Sequence, residues 1–156
     1  MSRIAVLGFQ LFVDSEGLAS FKEVCFYILP KRGEEPKDPP LRSYTISAAL
    51  PPFMIGEEDR RLAIEFERRT GIPFDAGEIH CSRLWEIFHD IDDMTVIFCP
   101  QSKYLKYIES YFDSEKNFKC APGVMLAPIR IETLNIHKDA DSETIARAIY
   151  KHLMST

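Results

Sequence analysis

The chain begins with a long apolar run over residues 4–12, which predicts a buried β-strand. Two alternate positions of this run, Gly8 and Gln10, lack an apolar side chain. Because successive side chains of a strand point to opposite faces, these two positions are predicted to share one face of the sheet. A polar turn closed by Gly17 and a second apolar run over 21–29 follow, so the first two strands are predicted to form an antiparallel hairpin.

The next segment, 30–41, is rich in proline and in charged residues, and it predicts an exposed loop. Proline cannot donate the backbone hydrogen bond that a helix interior or a central strand requires. Residues 42–48 then predict a third strand. The N-terminal part of the chain is therefore expected to supply antiparallel strands with one long, exposed connection.

Two helices are predicted in the middle of the chain. The segment 57–69 begins with acidic residues and ends with Arg68 and Arg69, as the helix dipole favours, and Gly71 follows as a C-terminal cap. A shorter helix is predicted over 82–89. Three of its side chains are expected to face the core: Leu84, Trp85 and Phe88.

In the C-terminal half, the apolar run over 94–99 predicts a buried strand, and apolar residues at helical spacing over 104–112 predict a helix after it. Residues 129–136 fit either a short helix or a strand. A final helix is predicted to begin at a cap supplied by Asp141 or Ser142. Strands followed by helices that alternate with a buried strand predict a single α/β domain over 1–156, in which helices flank a mixed sheet with antiparallel N-terminal strands.

Composition restricts the function classes. The net charge of -5 argues against the broad basic surface that nucleic-acid-binding domains usually present. The four cysteines are far apart, which is typical of reduced thiols in an intracellular protein, cytoplasmic or nuclear. No apolar run approaches the roughly 20 residues of a membrane span, and no glycine-rich phosphate loop is present, so neither a membrane nor a small-molecule cofactor is expected.

Four short motifs stand in a fixed order along the chain. They are Val6-Leu7-Gly8-Phe9-Gln10, Lys22-Glu23-Val24, Thr70-Gly71-Ile72 and, before the last helix, His137-Lys138-Asp139-Ala140-Asp141. This ordered set resembles the DEDD exonucleases of the RNase H-like superfamily. It is also similar to divergent exonuclease-like proteins of arthropod mobile elements and viruses, and more distantly to the Maelstrom domain of RNA silencing. The resemblance implies an RNase H-like fold.

The resemblance also implies where metal ligands would stand, and those positions are degenerate here. Gly8 and Gln10 replace the two acids of the first strand, and Gln101 lies in a stretch without the middle aspartate. Asp139 and Asp141 are one position away from the spacing of the last motif. Two-metal catalysis needs several carboxylates around ions that are roughly 4 Å apart. We therefore expect a catalytically inactive, exonuclease-like module that holds no metal.

Two nonenzymatic functions remain for such a module. The first is protein interaction, with a partner bound at the former catalytic cleft or at a sheet edge, in the setting of RNA silencing, a mobile element or a virus. The second is residual RNA binding by a strip of lysines beside tyrosines. The lysines of this strip are Lys103, Lys106, Lys116 and Lys119.

One enzymatic alternative stays open. Asp14-Ser15-Glu16 reads literally as the D-x-E motif, displaced toward the turn after the first strand. If these two carboxylates held Mg²⁺ or Mn²⁺, the protein would be an active 3'-5' exonuclease. A turn places carboxylates less rigidly than a strand does, which favours the inactive alternative.

Overall fold

Strand β1 (Ile4–Val13) lies inside a six-stranded mixed sheet. This arrangement is seen in a computed structural model, which describes residues 3–30, 42–47, 55–91, 93–112 and 124–155. The other strands are β2 (Ala19–Ile28), β3 (Arg42–Ser47), β4 (Ile79–His80), β5 (Val96–Pro100) and β6 (Met125–Ile129). Their order in the sheet is β4-β3-β2-β1-β5-β6. The helices are α1 (Glu57–Thr70), α2 (Leu84–Phe88), α3 (Leu105–Glu109), α4 (Ile131–Leu134) and α5 (Ser142–Met154).

The sheet is antiparallel on one side of β1 and parallel on the other. β1 pairs with β2 and β2 with β3 in antiparallel register, whereas β1 with β5, and β5 with β6, are parallel. Short β4 joins the outer side of β3 in parallel. The predicted α/β fold, a mixed sheet with antiparallel N-terminal strands and flanking helices, is confirmed, and it is consistent with an RNase H-like architecture.

Alternate residues of β1 pack in two different hydrophobic clusters, because successive side chains of a strand point to opposite faces of the sheet. Leu7 and Phe9 pack on one face in a cluster that includes residues of α2 and α3. Val6 packs on the other face with Ile145 and Ile149 of α5. Burying both faces of one strand makes β1 the layer that holds the helices on the two sides together.

The predicted limits of α1 are confirmed within one residue. The helix carries acids in its first turn and Arg68 and Arg69 in its last. Gly71 adopts φ 75°, and its amide donates to the carbonyl of Glu67, so it closes the helix as predicted. The last helix begins at the predicted cap, because the Asp141 carboxylate accepts from the amide of Thr144 at 2.7 Å.

Some of the predicted elements differ from those in the structure or fall outside the described residues. The side chain of Trp85 is 63% exposed, so its predicted core position is wrong. α2 spans only Leu84–Phe88 between two 3-10 turns, and Ile87 takes the inward position instead. The ambiguous segment 129–136 ends β6 and then forms α4. Of the predicted loop 30–41, residues 31–41 lie outside the described part of the chain, as does residue 48 of the third strand.

In the described part of the chain, no helix combines the length and apolar composition that crossing a membrane would require.

Candidate functional site

Gly8 and Gln10 share one face of β1, as predicted, and that face is covered by α5 and the loop before it. A Cβ at position 8 would lie 2.9 Å from the amide nitrogen of Ala146 and closer still to the carbonyl oxygen of Ser142. Both atoms belong to the backbone of α5 and cannot rotate away. The first turns of α5 therefore occupy the space that a side chain at position 8 would need, including that of an aspartate.

The side chain of Gln10 is 9% exposed and fixes the segment that leads into α5. Its Nε2 donates to the carbonyl oxygen of Lys138 at 3.1 Å and to that of Ala140 at 2.6 Å. A glutamate at position 10 has no N–H to donate and would instead face two carbonyl oxygens. The amide is thus required where the resemblance implies an acid.

Glu23 lies opposite Gln10 in the register of β1 and β2. Its Oε1 accepts from the amide of Ser142 at 2.6 Å, at the first residue of α5. Helix N-termini carry unpaired N–H groups and a partial positive charge, so a carboxylate there is stabilising. The acid that the second-strand motif retains is therefore engaged in capping α5.

The hydroxyl of Ser142 is buried and has no hydrogen-bond partner among the described residues. A buried hydroxyl without a partner costs about 1–3 kcal/mol. We expect Ser142→Ala to raise the free energy of unfolding by about 1 kcal/mol, because alanine removes the hydroxyl and leaves the backbone contacts intact. Urea denaturation measures this free energy. Ser142→Gly, which also removes the Cβ, should instead destabilise the protein, because glycine is unfavourable in a helix. A loss of stability in the alanine variant would show that the hydroxyl has a partner.

A cleft of about 620 Å³ opens beyond the carboxyl end of β5, beside the second half of β1. Clefts at this edge of a parallel strand pair are the usual ligand sites of α/β sheets. Its floor is largely apolar and includes Phe9, Phe12, Leu62, Phe66 and Ile145. Its polar and charged lining includes Gln10, Glu65, Arg69, Gln101, Lys103, Lys138 and Asp139.

The cleft brings together three of the degenerate positions, Gln10, Gln101 and Asp139. The backbone amide of Gln101 donates to the backbone carbonyl of Ile129 at 2.8 Å, which continues the hydrogen-bond ladder between β5 and β6. Gly8 lies beneath α5, and Asp141 is exposed at the helix cap, so neither lines the cleft. Most of the degenerate set therefore converges, although the motifs are far apart in the sequence.

Asp139 is the half-buried acid of the cleft, since its side chain is 14% exposed, whereas Glu65 is exposed. Its Oδ1 lies 2.9 Å from Nε of Arg69 in α1, and its Oδ2 lies 3.7 Å from Nδ1 of His137. An arginine this close competes directly with any cation for the carboxylate. From the sequence, Arg69 is predicted only to be a favourable charge at the end of a helix. Nothing in the neighbouring sequence links it to Asp139, which is distant along the chain.

Of the four predicted lysines, Lys103 lines the cleft, with its ammonium 5.3 Å from the ring centre of Tyr104. Lys106 is exposed on α3 and is not among the lining residues. Lys116 and Lys119 lie outside the described residues. The described part of the strip therefore contributes one lysine to the cleft, beside Arg69 and Lys138.

Asp14 and Glu16 lie in the turn between β1 and β2, away from the cleft lining. Asp14 Oδ1 accepts from the amides of Glu16 and Leu18, each at 2.9 Å, so this carboxylate shapes the turn. Glu16 is exposed. Among the described residues, no three or more histidine, cysteine or acidic side chains form a group that could hold a metal ion.

No family model matches the chain, and no curated protein matches it either.

Proposed function

We propose that the protein is an RNase H-like, exonuclease-like module that has lost catalysis and binds a protein partner at the cleft between β1 and β5. The observation that carries the proposal is the packing of α5 on Gly8. The backbone of α5 occupies the space of a side chain at position 8, which is the position where the resemblance implies the first metal-ligating acid. If only the residue type had changed, one substitution could restore the acid. A helix in the space of that side chain prevents such a restoration, because no side chain fits there.

Two further contacts support the loss of catalysis. The Gln10 amide is engaged by two carbonyl oxygens, and the Asp139 carboxylate is paired with Arg69. Both groups therefore contribute to holding α1 and α5 against the sheet. In this proposal, groups that once bound metals now stabilise the fold.

The cleft itself remains open and has the lining of a binding site. Aromatic residues and arginine, which are enriched at protein interfaces, line it together in Phe12, Tyr104 and Arg69. We place the module inside the cell, in RNA silencing or in a mobile-element or viral setting. The free thiols of Cys25, Cys81 and Cys99 agree with a reducing compartment.

The loss of catalysis has a direct test. We expect no cleavage of single-stranded RNA or DNA by the full chain with Mg²⁺ or Mn²⁺, because the carboxylates at Asp139, Asp14 and Glu23 already accept from arginine or backbone N–H groups. End-labelled oligonucleotides and gel analysis measure this. Metal-dependent cleavage abolished in Asp14→Asn would establish the displaced-motif exonuclease instead. Asparagine keeps the acceptor oxygen of the turn, so that variant separates metal binding from turn formation.

Protein binding at the cleft is tested by site-specific crosslinking. We expect a photo-crosslinking residue at Gln101 to capture a defined set of proteins in cells, and the same residue at Glu57, exposed at the start of α1, to capture none of them. The captured set should disappear when Lys103→Glu is added. Identical adducts from both positions would contradict a partner site at the cleft.

RNA binding is the second candidate, favoured by Lys103 beside Tyr104 in the cleft. Stacking on an aromatic ring next to a cation is the usual basis of single-strand binding. We expect no saturable binding of oligouridine even at low salt, because Arg69 is already paired with Asp139, Glu65 shares the cleft and the net charge is -5. Fluorescence anisotropy measures it. Binding that weakens with salt and with Lys103→Glu, but not with Lys106→Glu, would favour RNA over protein.

A further inference from the structure

A second groove lies between α4 and α5, on a part of the surface that shares no lining residue with the cleft. Its volume is about 550 Å³, within the range of roughly 300–1,000 Å³ that is typical of ligand sites. One wall is a stripe of α5 at helical spacing, which includes Arg147, Ala148, Lys151 and His152. The other wall comes from α4 and the residues after it.

The floor of the groove is aliphatic and its rim is basic. Leu134 is buried, and Ile136 and Ala148 are half-buried, so they form an apolar floor. Arg147, Lys151 and His152 stand along the α5 wall. No carboxylate and no phenylalanine, tyrosine or tryptophan is among the residues that line this groove in the described part of the chain, and its one ring is the imidazole of His152. In a protein with a net charge of -5, this is a local reversal of sign.

Arg147 and Lys151 differ in whether an acid of the protein already pairs with them. Arg147 donates from Nε and Nη2 to Oε1 of Glu143, at 3.1 and 2.9 Å, one turn earlier on α5. Lys151 is exposed and has no ion-pair partner among the described residues. Lys151 is therefore the cation that a ligand can engage without first breaking an existing contact.

We propose that this groove docks an acidic peptide segment of a partner protein, with aliphatic side chains on the floor and carboxylates on Lys151 and Arg147. The aliphatic floor decides between peptide and nucleic acid. Bases are held in single-strand sites by stacking on several aromatic rings, and the described lining of this groove offers only the imidazole of His152, at its rim. Leucine-like anchors of a peptide, in contrast, fit a groove of aliphatic side chains. The site is independent of the cleft and of the loss of catalysis.

The experiment is a selection with the full chain against a display library of random linear peptides. We expect enriched peptides to combine aspartate or glutamate with leucine, isoleucine or valine. Their affinity, measured by fluorescence anisotropy on synthetic copies, should fall at least tenfold in Lys151→Glu and by less than threefold in Lys151→Arg. Lys106→Glu makes the same charge change on α3, away from the groove, and should leave the affinity within twofold.

Several results would overturn the docking proposal. These are an empty selection, enrichment of basic or aromatic peptides, and affinity unaffected by Lys151→Glu. Loss of binding in Lys103→Glu with no change in Lys151→Glu would assign the peptides to the cleft, which would support the proposed function and refute the groove. Thermal midpoints of all variants, expected within a few degrees of the wild type, exclude unfolding as the cause.

Discussion

Gly8→Ala should destabilise the protein by about 3 kcal/mol, toward the upper end of what overpacking a core costs. The new Cβ would lie 2.9 Å from the amide nitrogen of Ala146 and nearer to the carbonyl oxygen of Ser142. Because both atoms are backbone, α5 must shift as a unit. The shift would strain the Glu23 cap and the contacts of Ile145 and Ile149 with the sheet. Urea denaturation of the wild type and the variant measures the difference.

Gly56→Ala provides the matched control. A Cβ at position 56 meets no heavy atom within 4 Å, and φ is -62°, which any residue adopts. Gly56 caps α1, where alanine is somewhat worse than glycine, but alanine also reduces the freedom of the unfolded chain. The net change should stay within about 1 kcal/mol. Equal effects of the two substitutions would mean that α5 does not pack tightly on β1.

Gly8→Asp with Gln10→Glu rebuilds the first motif of an exonuclease and tests the same packing. If the acids were simply missing, restoring them would restore some metal affinity. We expect instead a larger loss of stability than in Gly8→Ala and no nuclease activity. Nuclease activity with Mg²⁺ in the double variant, in a chain that remains folded, would show that α5 leaves room for the metals.

Local sequence patterns predicted those features that depend on neighbours along the chain. The alternation of β1 placed Gly8 and Gln10 on one face, and both indeed face α5 and the segment before it. The charges of α1 and the glycine after it marked both ends of the helix. In each case the physical cause, a strand period or a helix dipole, acts within one element.

Features that depend on distant contacts could not be predicted. A glycine in a strand shows that a side chain is absent but not what fills the space, so the contact with Ser142 was invisible. The pairing of Arg69 with Asp139 links two elements that only the fold brings together. β6 was not predicted, because Pro122 and Gly123 interrupt the sequence pattern before it and Pro128 lies within it. A proline is tolerated there since β6 is an edge strand of the described sheet.

A buried lysine predicts an unusual pH dependence of stability. Lys22 is 1% exposed, and its Nζ donates to the carbonyl oxygens of Ile46 and Phe74 and lies 5.2 Å from the centre of the Phe74 ring. Burial lowers the pKa of Lys22 to about 8, although Asp75, Cys81 and Glu67 partly oppose the shift. The charged form is thus disfavoured in the folded state relative to the unfolded one.

The sign of the effect follows from proton counting. Between pH 8 and 10.5 the unfolded chain keeps the Lys22 proton that the folded chain has released, so stability rises with pH. Two buried thiols act in the opposite sense. Burial raises the pKa of Cys25 and of Cys99 to about 12 from 9.0, so above pH 9 the unfolded state loses protons that the folded state retains. The stability of the wild type should therefore pass through a maximum near pH 9.

Lys22→Met isolates the contribution of the lysine, because methionine keeps an unbranched apolar stem and cannot titrate. Between pH 7 and 9 the stability of the wild type should rise relative to that of the variant by about 1.4 kcal/mol, the value of one proton over one pH unit. The variant alone should lose stability steadily above pH 8, since the thiols are then unopposed. Urea denaturation at half-unit pH steps measures both curves. Parallel curves would mean that Lys22 titrates as it does in water, and the ammonium would then have to reach solvent past Ile46 and Phe74.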